Sequence, residues 1–87
     1  MYGSPVDYDS LESFGLPIIE DAAHSHGAKY KDNFSGSFGE ISCLSFFPTK
    51  VFGGMGDGGM VLFDNSEFLN HMKVYRNCGQ AKPHYSI

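Results

Sequence analysis

The sequence has few basic residues and no long apolar run. Of its 87 residues, six are lysine or arginine and ten are aspartate or glutamate, which gives a net charge of -4. No basic stripe is present to neutralise phosphates, which argues against a nucleic-acid or anionic-membrane surface. No run of 18 apolar residues occurs, and the start MYGSP lacks the basic and hydrophobic regions of a signal peptide. We therefore expect a soluble, cytoplasmic chain.

Cysteine is also scarce. Cys43 and Cys78 lie far apart and do not form a C-x-x-C pair. Cys43 falls inside an apolar run, where a thiol behaves as a small hydrophobic group. We expect no disulfide in a reducing compartment. A cysteine-histidine nucleophile is not supported either, because Cys43 is not at an exposed helix start.

A metal site has only weak support. His24 and His26, with Asp21 and Cys43, supply ligand atom types, and a His-x-His pair projects both rings to one side of an extended chain. The third and fourth ligands have no recognisable spacing, however. Ordinary polar contacts are the stronger interpretation of these side chains.

The first part of the chain predicts a helix and a strand. A short helix is predicted over about residues 7–14, with Asp7 among its possible caps. The apolar residues 16–19 predict a buried strand of a sheet covered on both faces. Glu20 and Asp21 follow at the C-terminal end of this strand, where ligands bind in open α/β sheets.

The rest of the chain predicts further strands and a second helix. The predicted features are a hairpin about the polar turn 31–33, strands at 41–47 and 60–63, a helix over 66–76 and a loop at 79–87. Together they predict an α/β fold with a partial mixed, mostly parallel sheet and flanking helices. Such a sheet is too small to close its own edges, which suggests a fragment of something larger.

Residues 45–59 form the most unusual stretch. Lys50 stands between the aromatic residues Phe46, Phe47 and Phe52, and five glycines follow within 53–59. Aromatic neighbours would remove water from an amine, and loss of water favours the neutral, nucleophilic form. An ordinary turn with a surface lysine is the simpler alternative.

The glycines formally match a nucleotide-binding motif. Residues 54–59 read G-x-G-x-x-G, but a dinucleotide site needs a helix directly after the glycines. The apolar residues that follow, 60–63, predict a strand, which excludes that interpretation. A Walker loop is excluded because no Gly-Lys-Ser/Thr ends the run.

One combination of residues remains as a chemical hypothesis. An aldehyde cofactor held by a lysine needs an amine, an acid for a ring nitrogen and donors for a phosphate. Lys50, Asp21 and Ser45 supply these three types. On residue types alone, a structural carboxylate, a strand serine and a surface lysine are the simpler alternative.

Five segments then carry a family resemblance. They are 19–28 (IEDAAHSHGA), 36–41 (GSFGEI), 45–50 (SFFPTK), 56–61 (GDGGMV) and 76–79 (RNCG). In this order they resemble the central block of the DegT/StrS sugar aminotransferases, which are pyridoxal-phosphate enzymes of the aspartate-aminotransferase fold, fold type I. The resemblance covers nearly the whole chain. It implies that residues 1–87 are part of the cofactor-binding large domain, without the family's N-terminal region and C-terminal small domain.

The resemblance also implies roles for four residues. Lys50 matches the lysine that holds pyridoxal 5'-phosphate and then moves the proton between the substrate and the cofactor. Asp21 matches the carboxylate on the pyridine nitrogen, a charge-assisted hydrogen bond. His24 falls where the family places a side chain beside the cofactor ring and its hydroxyl. Ser45 matches a phosphate-binding serine.

The implied reaction transfers an amino group from an amino-acid donor, commonly glutamate, to a nucleotide-linked keto sugar. It would serve the biosynthesis of cell-surface polysaccharides or related sugars, and the full-length parent would be a homodimer. Two alternatives stay open: a non-catalytic relic or regulatory member of the same fold, and a small stand-alone binding domain. The isolated 87-residue chain is expected to be inactive.

Overall fold

The computed structural model describes residues 2–82 and 85–86. Its elements, in chain order, are α1 (Tyr8–Glu12), β1 (Ile19–Asp21), β2 (Lys29–Tyr30), β3 (Asn33–Phe34), β4 (Ile41–Ser45), β5 (Gly59–Phe63), α2 (Phe68–Arg76), β6 (Gln80–Lys82) and β7 (Tyr85–Ser86). Neither of these helices is long and apolar enough to cross a bilayer.

The central sheet is mixed and has the strand order β1-β4-β5. β1 pairs with β4 in parallel, with Asp21 opposite Cys43, and β4 pairs with β5 in antiparallel, with Ser45 opposite Gly59. A parallel pair needs a long connection, and residues 22–40 provide it. The predicted α/β fold with a mixed sheet is confirmed.

The position of β1 differs from the prediction. The apolar run 16–19 predicted a strand covered on both faces, but β1 begins at Ile19, and the side chains of Leu16 and Ile19 are 71% and 74% exposed. The hydrogen-bonded ladder with β4 sets the bounds of this strand, not its apolar content. The most buried member of β1 is a carboxylate, Glu20.

The hairpin was predicted correctly. β2 and β3 pair in antiparallel around a two-residue turn at 31–32, and Lys31 takes a left-handed φ of 53° there. Helix α1 begins after Asp7, whose carboxylate accepts a hydrogen bond from the Ser10 amide at 3.3 Å. This helix ends at Glu12, two residues before the predicted end.

A small aromatic cluster holds these first elements together. Tyr8 is buried and stacks on Phe38, with ring centroids 3.9 Å apart and planes 10° apart. Tyr30 meets both rings edge-on, at 5.7 Å and 5.9 Å. Because aromatic contacts of this kind stabilise beyond their buried area, the cluster fixes α1, the hairpin and the 36–38 loop around β1.

The C-terminal part follows the prediction except at its end. The strands predicted at 41–47 and 60–63 are β4 and β5, and the helix predicted at 66–76 is α2, which begins two residues later. The loop prediction at 79–87 is wrong where the structure describes it, because β6 and β7 pair there in antiparallel. Positions 83, 84 and 87 lie outside the described residues.

Candidate functional site

Two strand ends meet at one edge of the sheet. Asp21 is the last residue of β1 and Ser45 the last residue of β4, and parallel strands end at the same edge. The ladder continues one step further, because the Ala22 amide donates to the Cys43 carbonyl at 2.9 Å. Asp21 and Ser45 therefore both lie at the C-terminal edge of this parallel pair.

A closed loop between β4 and β5 carries Lys50. Its base is held by the Phe46 amide, which donates to the Gly58 carbonyl at 2.8 Å, and by the Gly54 amide, which donates to the Phe46 carbonyl at 2.7 Å. Gly53 passes so close to the chain that a Cβ there would lie 2.3 Å from the Pro48 carbonyl oxygen. Only glycine permits this approach, so the glycine run makes the fold-back that surrounds Lys50.

Lys50 and His24 come into contact although 26 residues separate them. The Lys50 Nζ lies 2.7 Å from the His24 Nε2. Lys50 is half-buried, whereas His24 is exposed on the turn after β1. A lysine ammonium can only donate, so in that charge state His24 accepts at Nε2 and keeps its ring proton on Nδ1.

The environment of Lys50 differs from the one expected. Phe46 is half-buried and meets Phe52 edge-on at 6.0 Å, but Phe47 and Phe52 are exposed. The predicted surround of aromatic side chains is therefore incomplete, and Lys50 has a polar partner in His24. The contact with His24 is therefore the feature of its environment that bears on the chemistry of this amine.

Asp21 is exposed and faces a small pocket. Its Oδ1 accepts a hydrogen bond from the Ala23 amide at 3.1 Å, which fixes the carboxylate at the start of the turn. The pocket has a volume of about 110 Å³ and also borders His24 and Ser25, with residues 3–6 and Tyr8 on its other side. It is much smaller than a typical ligand pocket of about 300 Å³ or more, and its significance is that Asp21 and His24 share it.

Ser45 is half-buried at the base of the loop. Its Oγ accepts a long hydrogen bond, 3.4 Å, from the Phe47 amide. A hydroxyl that accepts a bond still has a proton to donate. The structure thus brings His24 to Lys50 and Asp21 to His24, and it puts Ser45 at the same edge of the sheet.

Sequence reasoning missed the buried carboxylate of Glu20, which is 3% exposed. Five donors surround it. Its Oε1 and Oε2 accept hydrogen bonds from the Tyr8, Ser35 and Ser42 hydroxyls and from the Gly36 and Phe38 amides, at 2.7 to 3.1 Å.

This set of donors decides the charge of Glu20. Burial alone would raise the pKa of Glu20, but the hydrogen bonds, with the Gly36 amide first among them, outweigh it and lower the pKa to about 2. Burial and the contact with Glu20 raise the pKa of Tyr8. The donors lie 12 to 22 residues away in sequence, so the only available signal was a charged residue inside a strand pattern.

Three further observations concern the remaining histidine and cysteine side chains. The His26 Nε2 is buried without a hydrogen-bond partner in the described part of the chain, and its ring meets Phe46 edge-on at 5.6 Å. Within residues 2–82 and 85–86, no three His, Cys, Asp or Glu side chains are grouped so that they could hold a metal ion. Both cysteines are free thiols.

The chain is similar in sequence to known proteins along nearly its whole length. A UDP-2-acetamido-2-deoxy-3-oxo-D-glucuronate aminotransferase of Pseudomonas aeruginosa is 35% identical over 91 aligned residues, which cover 100% of this chain and 25% of that protein. A pleiotropic regulatory protein of Geobacillus stearothermophilus is 39% identical, with 98% of this chain and 24% of that protein covered. The chain thus spans about a quarter of the length of the curated relatives that it matches.

The fold has matching solved structures as well. A crystal structure of a DegT DnrJ EryC1 StrS aminotransferase from Brucella abortus superposes with a TM-score of 0.84 at 29% identity, and it covers 100% of this chain and 25% of that one. The model of the DegT/DnrJ/EryC1/StrS aminotransferase family matches residues 1–86. The chain therefore belongs to the DegT/DnrJ/EryC1/StrS aminotransferase family.

Proposed function

We propose that this chain is part of an enzyme that transfers an amino group from an amino acid, such as glutamate, to the keto group of a nucleotide-linked sugar. The name of the Pseudomonas aeruginosa relative specifies amino transfer with a UDP-linked 3-oxo sugar. The 2.7 Å contact between Lys50 and His24 is the observation that carries the proposal for this chain. The chain would be part of the cofactor-binding large domain of a homodimeric enzyme of sugar biosynthesis.

The residue types at the sheet edge fit pyridoxal 5'-phosphate. Lys50 offers an amine to the aldehyde, Asp21 an exposed carboxylate to the ring nitrogen, and Ser45 a hydroxyl to the phosphate. The glycine fold-back at 53–54 leaves the backbone bare beside this lysine. His24 would lie beside the ring. When bound, the cofactor supplies an electron sink for the charge that forms when the amino acid loses its Cα proton.

The chain's own groups would then manage protons and orientation. The Nζ of Lys50 is the base that takes a proton from carbon and the acid that returns it. His24 holds that amine by its hydrogen bond and so restricts the directions in which Nζ can point. The Asp21 carboxylate, fixed by the Ala23 amide, favours a protonated ring nitrogen because an adjacent negative charge stabilises a positive one.

A regulatory role is the second candidate, and one relative favours it. The Geobacillus stearothermophilus protein is called a pleiotropic regulatory protein. A regulator of this kind would keep the lysine and bind the cofactor without turning over an amino donor.

Reductive trapping tests the proposal. The chain is incubated with pyridoxal 5'-phosphate and reduced with borohydride, and its peptides are analysed by mass spectrometry. We expect the cofactor on Lys50 and no label at that position in Lys50→Arg, which keeps the charge but cannot form the imine. Lys73, exposed on α2, is the internal control.

Different outcomes separate the candidates. Label on Lys73 in place of Lys50 would reject the assignment of the lysine. In the full-length protein that contains this chain, label on Lys50 without conversion of glutamate to its keto acid would favour the regulatory role, and conversion would reject it. No change in the visible spectrum on adding cofactor would reject both in favour of a stand-alone binding domain.

A further inference from the structure

A chain of hydrogen bonds joins the buried carboxylate to the candidate site. The Ser35 hydroxyl donates to Glu20 Oε1 at 3.1 Å, and the Ser35 Oγ lies 2.5 Å from the Ser25 Oγ. Ser25 follows His24 directly in sequence, and His24 contacts Lys50. We call this chain from Glu20 through Ser35 to Ser25 the serine bridge.

The serine bridge has a fixed polarity. Glu20 accepts five hydrogen bonds, and an ionised carboxylate can only accept. Ser35 must therefore donate its one hydroxyl proton to Glu20. The oxygen of Ser35 can then only accept from Ser25, so the bridge runs from Ser25 to Ser35 to Glu20.

Backbone hydrogen bonds hold the turn that carries His24, and their partners lie before and after His24 in sequence. The Ser25 amide donates to the Ala22 carbonyl at 3.3 Å, and the Ala28 amide donates to the Ser25 carbonyl at 3.0 Å. Ala22 is fully buried, whereas His24 is exposed. The Ser25 hydroxyl thus adds a side-chain link from this turn to the scaffold, one residue from the imidazole, besides the hydrogen bond from the Ala23 amide to the Asp21 carboxylate.

We propose that Glu20 is a positioning residue that, through Ser35 and Ser25, holds His24 against the Lys50 amine. The inference rests on the proposed function for the purpose of the His24–Lys50 contact. The contact itself is measurable without cofactor. Glu20 does not touch Lys50 and acts only by fixing the turn.

Substitution of Ser35 tests the bridge with a matched control in the same loop. In Ser35→Ala the bridge is cut, while Glu20 keeps its other four donors. Ser37 lies two residues away, is exposed and donates to the Phe34 carbonyl at 2.6 Å, so Ser37→Ala removes a hydroxyl but leaves the bridge intact. Ser25→Ala cuts the outer link and leaves all five donors on Glu20.

The measurement is the imidazole ¹⁵N spectrum of the whole chain without cofactor at constant pH. His24→Gln assigns the His24 signals, and Lys50→Met defines their position when the contact is lost. We expect Ser35→Ala and Ser25→Ala each to move the His24 Nε2 signal at least about half of the way to the Lys50→Met position. Because both substitutions break one bridge, the double variant should add little. Ser37→Ala should match the unsubstituted chain.

Two results would overturn the proposal. One is a folded Ser25→Ala or Ser35→Ala chain whose His24 signals stay in place. The other is shifts of Ser25→Ala and Ser35→Ala that add independently. A failed trapping experiment with an intact bridge signal would reject the proposed function alone, and the reverse pattern would reject the bridge alone.

Discussion

Glu20 is an ionised group in the interior, and its charge makes the free energy of unfolding depend on pH. The folded chain lowers the pKa of this carboxyl to about 2, whereas an unperturbed glutamate titrates near about 4.3. The unfolded chain therefore binds a proton first when the pH falls. The stabilisation is present above about pH 5 and is lost as the pH falls towards 2.

We accordingly expect Glu20 to protonate near pH 2 in a ¹³C carboxyl titration, below the ordinary range of a glutamate. The free energy of unfolding should fall on the order of 2 to 3 kcal/mol between pH 5 and pH 2. Asp7, whose pKa the hydrogen bonds from Tyr30 and Ser10 lower to about 2, acts in the same direction. A Glu20 that titrates at about 4.3, the ordinary value of a glutamate, would contradict the prediction.

The sequence predicts candidate residues for the site but not the interactions that hold them in place. Lys50, Asp21 and Ser45 were found because cofactor chemistry needs an amine, an acid and a hydroxyl, and His24 because of the family resemblance. Their roles stay proposals. Glu20 could not be found, because its side-chain donors come from distant segments that meet only in the fold.

At the scale of elements, the long patterns were more informative than the short ones. The apolar runs at 41–47 and 60–63 and the helical period of α2 each predicted the element within two residues. The bounds predicted for β1 were wrong because apolar content cannot reveal which three residues will pair with the partner strand. The loop predicted at 79–87 was wrong because the pairing of β6 with β7 leaves no hydrophobic period in those nine residues.

Gly39 is a position where the elements meet so closely that no side chain fits. A Cβ there would lie 2.7 Å from the Ile41 carbonyl oxygen, 2.8 Å from that of Ile18 and 3.0 Å from the Glu20 amide nitrogen. All three are backbone atoms of the β1–β4 region and cannot turn aside. The Glu40 amide, next in sequence, donates to the Ile18 carbonyl at 2.9 Å.

Gly39→Ala should therefore lower the free energy of unfolding by about 1 to 3 kcal/mol, as overpacking elsewhere does. Gly56→Ala is the matched control, because a Cβ at Gly56 meets nothing within 4 Å; we expect a change within about 0.5 kcal/mol. Urea titration followed by circular dichroism measures both. Equal free energies of unfolding of the two variants would contradict the prediction, because the backbone of the β1–β4 region would then adjust to a Cβ at position 39 without loss of stability.

The described part of the chain forms a thin slab. Its extents are 44 × 36 × 17 Å and its radius of gyration is 14.9 Å, against about 12 Å for a compact chain of this length. Its accessible surface is 6800 Å², where a compact protein of this mass exposes about 5100 Å². A groove of about 760 Å³ between β5 and α2 adds to this surface.

A slab exposes less additional surface when it unfolds than a compact chain of the same mass, about 7100 Å² against about 8800 Å², so the response to denaturant should be weaker. We expect a urea m-value of about 1 kcal/mol/M, the lower end for small proteins. Tyrosine fluorescence and circular dichroism should report the same broad transition. A steep transition with an m-value above that range would mean that the chain in solution buries much more surface than the structure does.

The alternation along β1 has a consequence for the accuracy of folding. Neighbouring side chains of a strand point to opposite faces, so Glu20 meets its five donors while Asp21 faces solvent. A slip of one residue against β4 would turn every side chain of β1 to the opposite face. In one direction the position of Glu20 would receive Asp21, which is one carbon too short for the donors, and in the other direction it would receive Ile19, which has no acceptor. Such a misaligned chain loses the stability that the buried carboxylate provides, together with the candidate acid at the sheet edge. The contacts of Glu20 therefore stabilise only the register of β1 that places Asp21 at that edge.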